Sequence, residues 1–343
     1  MILNLLYSCM MLLAASCIDF SQEDNLRDEV PARVEESAFA KGADVSWVTQ
    51  MESHGSVFRN SEGVVKECMQ LLKEDCGVNA IRLRVWVNPE DGWNNIDDVL
   101  VKALRAKSLG LRLMIDFHFS DIWADPSHQD IPAAWTDYDL PTMKTALAEH
   151  VIATLTKLKV HDVEPEWIQI GNETRTGMLW PMGEIDNGSN YAELNNAGYD
   201  AAKSVFPDSK IIIHVDCGDQ LELYTRVFGY MQTYDGKYDM IGMSLYPDAD
   251  SWQSLVDACV NNINTLYDTY GKSVMVCEIG MHYKEAEACR DCISSLMSKG
   301  QATGHLEGIF YWEPESPSGF NGGYDKGCFE NGRPTVALDA FKE

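Results

Sequence analysis

Eight short apolar runs, separated by longer segments with a helical period, constrain the fold of this chain more than any other feature. Each run is hydrophobic almost throughout instead of alternating with polar residues, which is typical of parallel strands covered on both faces. The runs begin at Ala38, Asn79, Leu111, Pro165, Lys210, Tyr238, Ser273 and Glu307. Eight strand–helix units in about 300 residues predict a single (β/α)8 TIM barrel of the α/β class. An open, doubly wound sheet would need a reversal of strand order that nothing in the sequence marks.

The segments between the runs predict the helices of this barrel. They cover residues 64–74, 97–108, 143–158, 191–205, 221–234, 251–270 and 284–299, with a further helix at 335–341 after the last strand. No interior linker or low-complexity stretch interrupts the alternation. We therefore expect one domain over residues 38–343.

The N-terminal 17 residues carry no charge and are too short to span a bilayer comfortably, which indicates an export signal. The small residues before Cys17 resemble a bacterial lipoprotein cleavage box, so plain secretion and lipid anchoring at Cys17 both remain open. The polar residues 18–37 are expected to form a tether. We expect a location at the bacterial cell surface or in the periplasm.

The charge balance excludes one class of partner. Acidic residues outnumber basic residues 53 to 27, for a formal net charge of −26. A negative surface of this size repels a phosphate backbone, so we expect no nucleic-acid binding. We expect a monomer whose membrane contact, if any, is the lipid anchor.

The eight cysteines beyond Cys17 are an even number, which is compatible with disulfides in an exported protein. Several lie in apolar runs, where a buried free thiol is the commoner explanation. Cys289 and Cys292 have the spacing of half a zinc site, but no second pair follows at a matching interval.

Polar and aromatic residues collect where the predicted strands end, and active sites of TIM barrels lie at the carboxyl ends of the strands. These residues, in strand order, are Asp44; Arg82, Arg84 and Trp86; Asp116, His118 and Asp121; Asn172 and Glu173; His214 and Asp216; Tyr246; Glu278; and Trp312 and Glu313. Stability alone does not explain eight strands that all end this way.

Two of these residues, Glu173 and Glu278, directly follow apolar strands and would project into the mouth of the barrel. Cleavage of an acetal needs one protonated and one ionised carboxyl group, and two glutamates in different environments can supply both. The alternative is two structural glutamates, each paired with an arginine such as Arg82 or Arg84.

The segments KGADVSWV, IRLRVWVNP, DFHFSDIWADP, QIGNETRTGMLWP and DMIGMSLYP, with CEIG and IFYWEP, resemble glycoside hydrolase family 53 of clan A. The resemblance runs from about Ala40 to Lys342. It implies an arabinogalactan endo-β-1,4-galactanase that retains anomeric configuration and needs no cofactor. It also implies that Glu173 is the acid/base, Glu278 the nucleophile, and Asn172 the residue that holds the sugar 2-hydroxyl. Calcium is possible near Asp325 and Glu330.

We expect Arg84 and Tyr246 to donate to Glu278, and we prefer Arg84 to Arg82 although the register of the strand is unknown. Trp86 and Trp312 are expected to stack on sugar faces. The residues expected to bind substrate are Asp44, Arg84, Trp86, His118, Asp121, Asn172, His214, Tyr246 and Trp312.

Three other functions deserve comparison with this one. A clan A enzyme acting on another β-1,4-glycan, such as mannan or cellulose, would keep Glu173 and Glu278 and differ in its loops. A metal-dependent barrel hydrolase would carry His-x-His on its first strand, which is absent here. A non-catalytic glycan-binding barrel would have lost one of the two carboxylates.

Overall fold

The computed structural model describes residues 39–342, and its centre is a closed barrel of eight parallel strands. Each strand pairs with the next along the chain, and the first pairs with the last. The strands are β1 (Ala40–Asp44), β2 (Ala80–Val85), β3 (Arg112–Phe117), β4 (Trp167–Ile170), β5 (Lys210–Val215), β6 (Met240–Leu245), β7 (Val274–Ile279) and β8 (Leu306–Trp312). The predicted (β/α)8 barrel is confirmed.

The helices cover the outside of the barrel and lie at nearly the predicted positions, except the first, a short helix that was not predicted. They are α1 (Val48–Ser53), α2 (Cys68–Cys76), α3 (Ile96–Ser108), α4 (Leu140–Lys159), α5 (Gly188–Val205), α6 (Leu221–Thr233), α7 (Trp252–Tyr270) and α8 (Ala286–Thr303).

Two helix predictions were wrong in detail. The α2 helix starts at Cys68 rather than residue 64, because the Glu67 side chain caps it by accepting a hydrogen bond from Gln70 N. The last predicted helix, 335–341, is instead a 3₁₀ segment, Val336–Lys342.

A layer of nine side chains fills the inside of the barrel below the site: Ala40, Ala80, Met114, Trp167, Ile212, Met240, Met275, Cys277 and Phe310. Phe310 takes the room that a side chain at position 42 would need, since a Cβ there would lie 2.1 Å from its ring. These side chains fill the barrel on the amino-terminal side of the site. The polar side chains of the next layer can therefore face only the mouth at the carboxyl ends of the strands.

All eight cysteines within residues 39–342 are free thiols, and every one except the half-buried Cys217 is buried. No helix in the same range is long and apolar enough to cross a bilayer. The predicted export signal, Cys17 and tether lie outside the described residues.

Candidate active site

A pocket of about 440 Å³ opens at the carboxyl ends of the strands. It is lined by His118, Trp123, Ala124, Asp125, Asn172, Glu173, Tyr246, Glu278, Trp312 and Lys326. Both predicted glutamates therefore face one cavity.

Strand β2 carries an arginine into the centre of the barrel because alternate residues share one face. Ala80 belongs to the interior layer, and Arg82 stands one step above it, fully buried. The Arg82 guanidinium lies 2.8 Å from Asp44, 2.8 Å from Asp116 and 2.9 Å from a carboxylate oxygen of Glu278. The predicted partnership of Arg84 with Glu278 was wrong, and Arg82 takes that place.

Arg84 misses Glu278 because it stands two residues further along β2, about 6.6 Å closer to the mouth. Its Nη1 donates to Glu313 at 2.5 Å. Its guanidinium carbon lies 4.3 Å from the centre of the Trp123 ring and 5.2 Å from the rings of both Trp47 and Trp86. Arg84 thus packs against three tryptophan rings, of which Trp123 lines the pocket.

A bulge in β7 directs Glu278 into the pocket. Met275 and Cys277 already point into the barrel, so strict alternation would turn Glu278 outward toward the helices. The pairing of β6 with β7 shifts by one residue after Met243, and Glu278 then stands opposite Ser244. There Tyr246 Oη donates to Glu278 Oε2 at 2.6 Å, the contact expected from the sequence.

Glu173 reaches the same pocket because β4 ends abruptly before it. Gly171 and Glu173 both adopt positive φ, 87° and 48°, and this turn brings Glu173 over the barrel axis. Ser244 Oγ donates to its Oε1 at 2.6 Å. One carboxylate oxygen of Glu173 and one of Glu278 lie within 4.8 Å of each other.

The two carboxyl groups differ in their surroundings. Burial, followed by the negative charge of Glu278, raises the pKa of Glu173 well above its usual value. Burial also raises the pKa of Glu278, to about 7, but Arg82 and the Tyr246 hydroxyl favour its ionised form. Glu278 therefore loses its proton first, and Glu173 keeps one.

Hydrogen bonds at both ends of its side-chain amide fix the orientation of Asn172. Its Oδ1 accepts from Arg82 Nη2 at 2.9 Å and its Nδ2 donates to the Ala124 carbonyl at 2.8 Å. The second hydrogen of Nδ2 has no partner in these contacts and is available to a ligand. His214, fully buried beneath, lies 3.0 Å from Asn172 Oδ1 through its Nδ1.

His118 lines the pocket but directs its ring nitrogens to the protein. Its Nδ1 accepts from Ala124 N at 3.1 Å, so Nε2 carries the hydrogen that meets Asp116 at 2.9 Å. Burial alone would raise the pKa of Asp116, but Arg82 and His118 hold that pKa below its usual value. Trp86 Nε1 also approaches His118 Nδ1, at 3.4 Å.

Asp44 and Asp121 have their carboxylates committed to protein donors and do not line the pocket. Asp44 accepts from Arg82 and from Ser46 N, and Asp121 accepts from the backbone N–H groups of Asn88 and Ala133. Their contact with a substrate stays a prediction that this geometry does not favour.

Trp312 presents a fixed aromatic surface to the pocket. Its ring packs against Trp47 at 5.4 Å, Trp123 at 5.7 Å and Tyr324 at 5.1 Å between centroids. Such a rigid ring suits stacking on an apolar face of a ligand.

The contacts favour carboxyl chemistry over a metal centre. Glu173, His214 and Glu278 form the one group of three converging ligand side chains within residues 39–342. Each already has partners: Ser244 for Glu173, Ser244 and Asn172 for His214, and Arg82 and Tyr246 for Glu278. An arginine beside the carboxylate would compete with a cation for the same oxygen.

The side chains at the predicted calcium position do not assemble a carboxylate-rich site either. Asp325 pairs with the ammonium of Lys326 at 2.8 Å, and Glu330 is an exposed residue of a two-stranded hairpin. Neither belongs to a converging group of three ligands in the described range. Calcium binding there stays a prediction without support from these contacts.

Sequence reasoning missed six residues of the site: Gln169, Ser244, Trp123, Ala124, Asp125 and Lys326. A usable signal existed for two of them. Gln169 follows the interior residue Trp167 by two positions, and Ser244 precedes the pocket residue Tyr246 by two. A polar residue on the inward face of a barrel strand marks the layer just under the site.

The chain also resembles known proteins over this whole region. The sequence profile described as glycosyl hydrolase family 53 matches residues 40–332. A probable arabinogalactan endo-β-1,4-galactanase A from Aspergillus fumigatus is 36% identical over 299 residues, covering 80% of this chain and 83% of that protein. An arabinogalactan endo-β-1,4-galactanase from Thermothelomyces thermophilus is 33% identical, covering 80% and 89%.

A solved structure of a fungal β-1,4-galactanase superposes with a TM-score of 0.82 at 29% identity, covering 88% of this chain and 98% of that one. The match to the family 53 profile extends from the first barrel strand to the loop after the last, so it includes both glutamates and their partners. The chain belongs to glycosyl hydrolase family 53.

Proposed function

We propose that the protein is an endo-acting hydrolase of β-1,4-galactan that works by double displacement and retains anomeric configuration. The observation that carries the proposal is the pair Glu173 and Glu278, with carboxylate oxygens within 4.8 Å in one pocket. Retaining glycosidases place their carboxyl groups about 5–5.5 Å apart, whereas inverting enzymes need roughly 6.5–9.5 Å to admit a water molecule. The named relatives supply the choice of galactan.

In the first step, the ionised Glu278 attacks the anomeric carbon while Glu173 gives its proton to the departing glycosidic oxygen. The C–O bond to the leaving sugar breaks, and an ester between the sugar and Glu278 forms. The order of ionisation suits these roles, because Arg82 and Tyr246 favour the charged form of Glu278. Burial and the charge of Glu278 favour the protonated form of Glu173.

In the second step, the now ionised Glu173 takes a proton from water, and the water oxygen attacks the anomeric carbon. The ester to Glu278 breaks and both carboxyl groups return to their starting states. Asn172 offers the free hydrogen of its Nδ2 to the 2-hydroxyl, and Trp312 stacks under the sugar ring. Two inversions at one carbon give net retention.

A product analysis on linear β-1,4-galactan tests the proposal, with β-mannan and carboxymethyl cellulose as parallel substrates. We expect short galacto-oligosaccharides from galactan only. Proton NMR during the first minutes should show the β-anomer at the new reducing end before mutarotation. Cleavage of mannan alone would overturn the substrate assignment, and an initial α-anomer would overturn retention.

We propose further that the chain is exported, with Cys17 as its lipid anchor. The support is the uncharged apolar stretch that ends in small residues at Cys17. Changing Cys17 to Ser should move the protein from the membrane fraction to the soluble fraction of bacterial cells producing the full chain. A protein that fractionates identically after the change is not anchored at Cys17.

A further inference from the structure

We propose that Ser244 is a positioning residue for Glu173 and selects which oxygen of the Glu173 carboxyl group carries the transferred proton. It does so at the end of a directed chain of hydrogen bonds from Gln169 through His214. This inference rests on the proposed acid/base role of Glu173. Gln169, His214 and Ser244 are all buried and none lines the pocket, so they act on a substrate only through the residues above them.

The donor-to-acceptor direction of these hydrogen bonds is set at Gln169, because its side-chain amide can be oriented in one way only. Arg82 Nε donates to its Oε1 at 2.8 Å, and Nε2 lies 2.9 Å from Asp116 Oδ1. A guanidinium cannot accept a hydrogen bond and an ionised carboxylate cannot donate one. Nε2 therefore faces Asp116 with one hydrogen and His214 Nδ1, at 3.0 Å, with the other.

His214 continues this series of hydrogen bonds from Gln169 to Ser244. Burial and the charge of Arg82 lower the pKa of His214 well below its usual value, so the ring is neutral and carries one N–H. Since Nδ1 accepts from Gln169, the hydrogen is on Nε2, which lies 2.8 Å from Ser244 Oγ. The Ser244 hydroxyl hydrogen is then free to donate to Glu173 Oε1 at 2.6 Å.

The opposite tautomer of His214 fits the site less well. It would donate from Nδ1 to Asn172 Oδ1, at 3.0 Å, an atom that already accepts from Arg82 Nη2. It would also set its N–H against a hydrogen of Gln169 Nε2. Finally, it would draw the Ser244 hydrogen to Nε2 and leave an ionised Glu173 without this donor.

A donor at Oε1 has two consequences for Glu173. A carboxyl oxygen that accepts a short hydrogen bond is the poorer place for a proton, so the acid proton lies on Oε2. The same bond stabilises the carboxylate that must act as base in the second step, and it lowers the pKa of Glu173. It therefore limits the upward shift that burial and the charges of Glu278 and Asp216 produce, and Arg82 acts in the same direction as Ser244.

The test is the pH profile of Ser244→Ala in the full-length enzyme on β-1,4-galactan. We expect kcat to fall about tenfold with KM within about twofold of wild type, because the loss concerns Glu173 and not sugar binding. We expect the alkaline limb of kcat/KM to move up by about one pH unit, since a hydrogen bond to a charged group is lost. A packing defect would lower the rate without moving that limb.

Ser244→Thr keeps the hydroxyl group, so its alkaline limb should coincide with that of wild type, and Ser244→Cys, a weaker donor, should shift it partway. The matched control is Ser316→Ala, because Ser316 is an equally buried serine whose hydroxyl has no hydrogen-bond partner among the described residues. An unmoved limb in Ser244→Ala, or an equal shift in Ser244→Thr, would overturn the inference. A wild-type enzyme inactive on galactan would instead overturn the proposed function.

Discussion

Replacing Glu278 with Ala should reduce turnover of β-1,4-galactan by at least about a thousandfold, because the group that forms the bond to the anomeric carbon is gone. The variant should still fold, since Arg82 keeps the carboxylates of Asp44 and Asp116, each at 2.8 Å. The measurement is kcat on galactan, with thermal unfolding to confirm the fold.

Azide should restore the reaction of the Glu278→Ala variant on an activated aryl galactoside. The anion fits the space that the carboxylate leaves, and it attacks the face that Glu278 attacked. The product should be the α-galactosyl azide, since only one inversion occurs. A β-galactosyl azide would show that the missing side chain stood on the leaving-group side, which is incompatible with the proposed role of Glu278.

Glu313→Gln is the control for this prediction, since Glu313 is a third glutamate at a strand end, beside Glu173 and Glu278, and is also buried. It bonds Arg84 and the backbone N–H of Trp47 and does not line the pocket. The change should lower the unfolding temperature, because it leaves the buried Arg84 guanidinium without a negative charge beside it, but should keep most of the turnover. Inactivity of this variant beside an active Glu278→Ala variant would place the nucleophile on β8 instead of β7.

The barrel could be predicted from the sequence because its signal is repeated eight times. Each strand of a parallel barrel is covered on both faces, so the sequence shows an apolar run that stands out from the helical period around it. The ends of the runs then indicate the position of the site, and Glu173 and Glu278 were found in this way. Eight consistent repeats leave little room for another arrangement.

The partners of the glutamates could not be predicted, because they depend on register and local irregularity. Arg82 and Arg84 share one face of β2, and only the height of each side chain in the barrel decides which meets Glu278. That height is set by pairing with neighbouring strands, which a single sequence does not encode locally. The bulge that turns Glu278 inward is likewise a property of the β6–β7 pair.

Ser244 and Gln169 were overlooked for a different reason. Each is a small or neutral polar residue within a buried strand, where such a residue is commonly just a satisfied core group. What distinguishes them is the direction of their hydrogen bonds, which needs coordinates. A sequence can mark the layer under a site, but it cannot say which oxygen receives a proton.

Replacing Glu173 with Gln should abolish the alkaline limb of the rate profile. In the wild-type enzyme, activity requires Glu278 ionised and Glu173 protonated, so the rate falls below the pKa of Glu278 and above the pKa of Glu173. Because burial raises both values, both limbs should lie above pH 4.5, the usual carboxyl value. Glutamine has no titrating proton, so only the acid limb should remain.

The loss of rate in Glu173→Gln should depend on the leaving group. On galactan we expect at least about a thousandfold loss, because the departing oxygen needs a proton. On a dinitrophenyl galactoside the first step should survive, since that leaving group departs as a stable anion. The second step still lacks its base, so a burst of dinitrophenol should precede a slow steady state.

Asp216→Asn is the matched control for this change, since Asp216 follows β5 close to Glu173 and burial raises its pKa too. It pairs with Arg175 at 3.2 Å, outside the lining of the pocket, and its amide variant should retain the alkaline limb. If the limb persisted in Glu173→Gln and vanished in Asp216→Asn, Asp216 would be the acid. The turn at Gly171 that carries Glu173 over the barrel axis would then need another explanation.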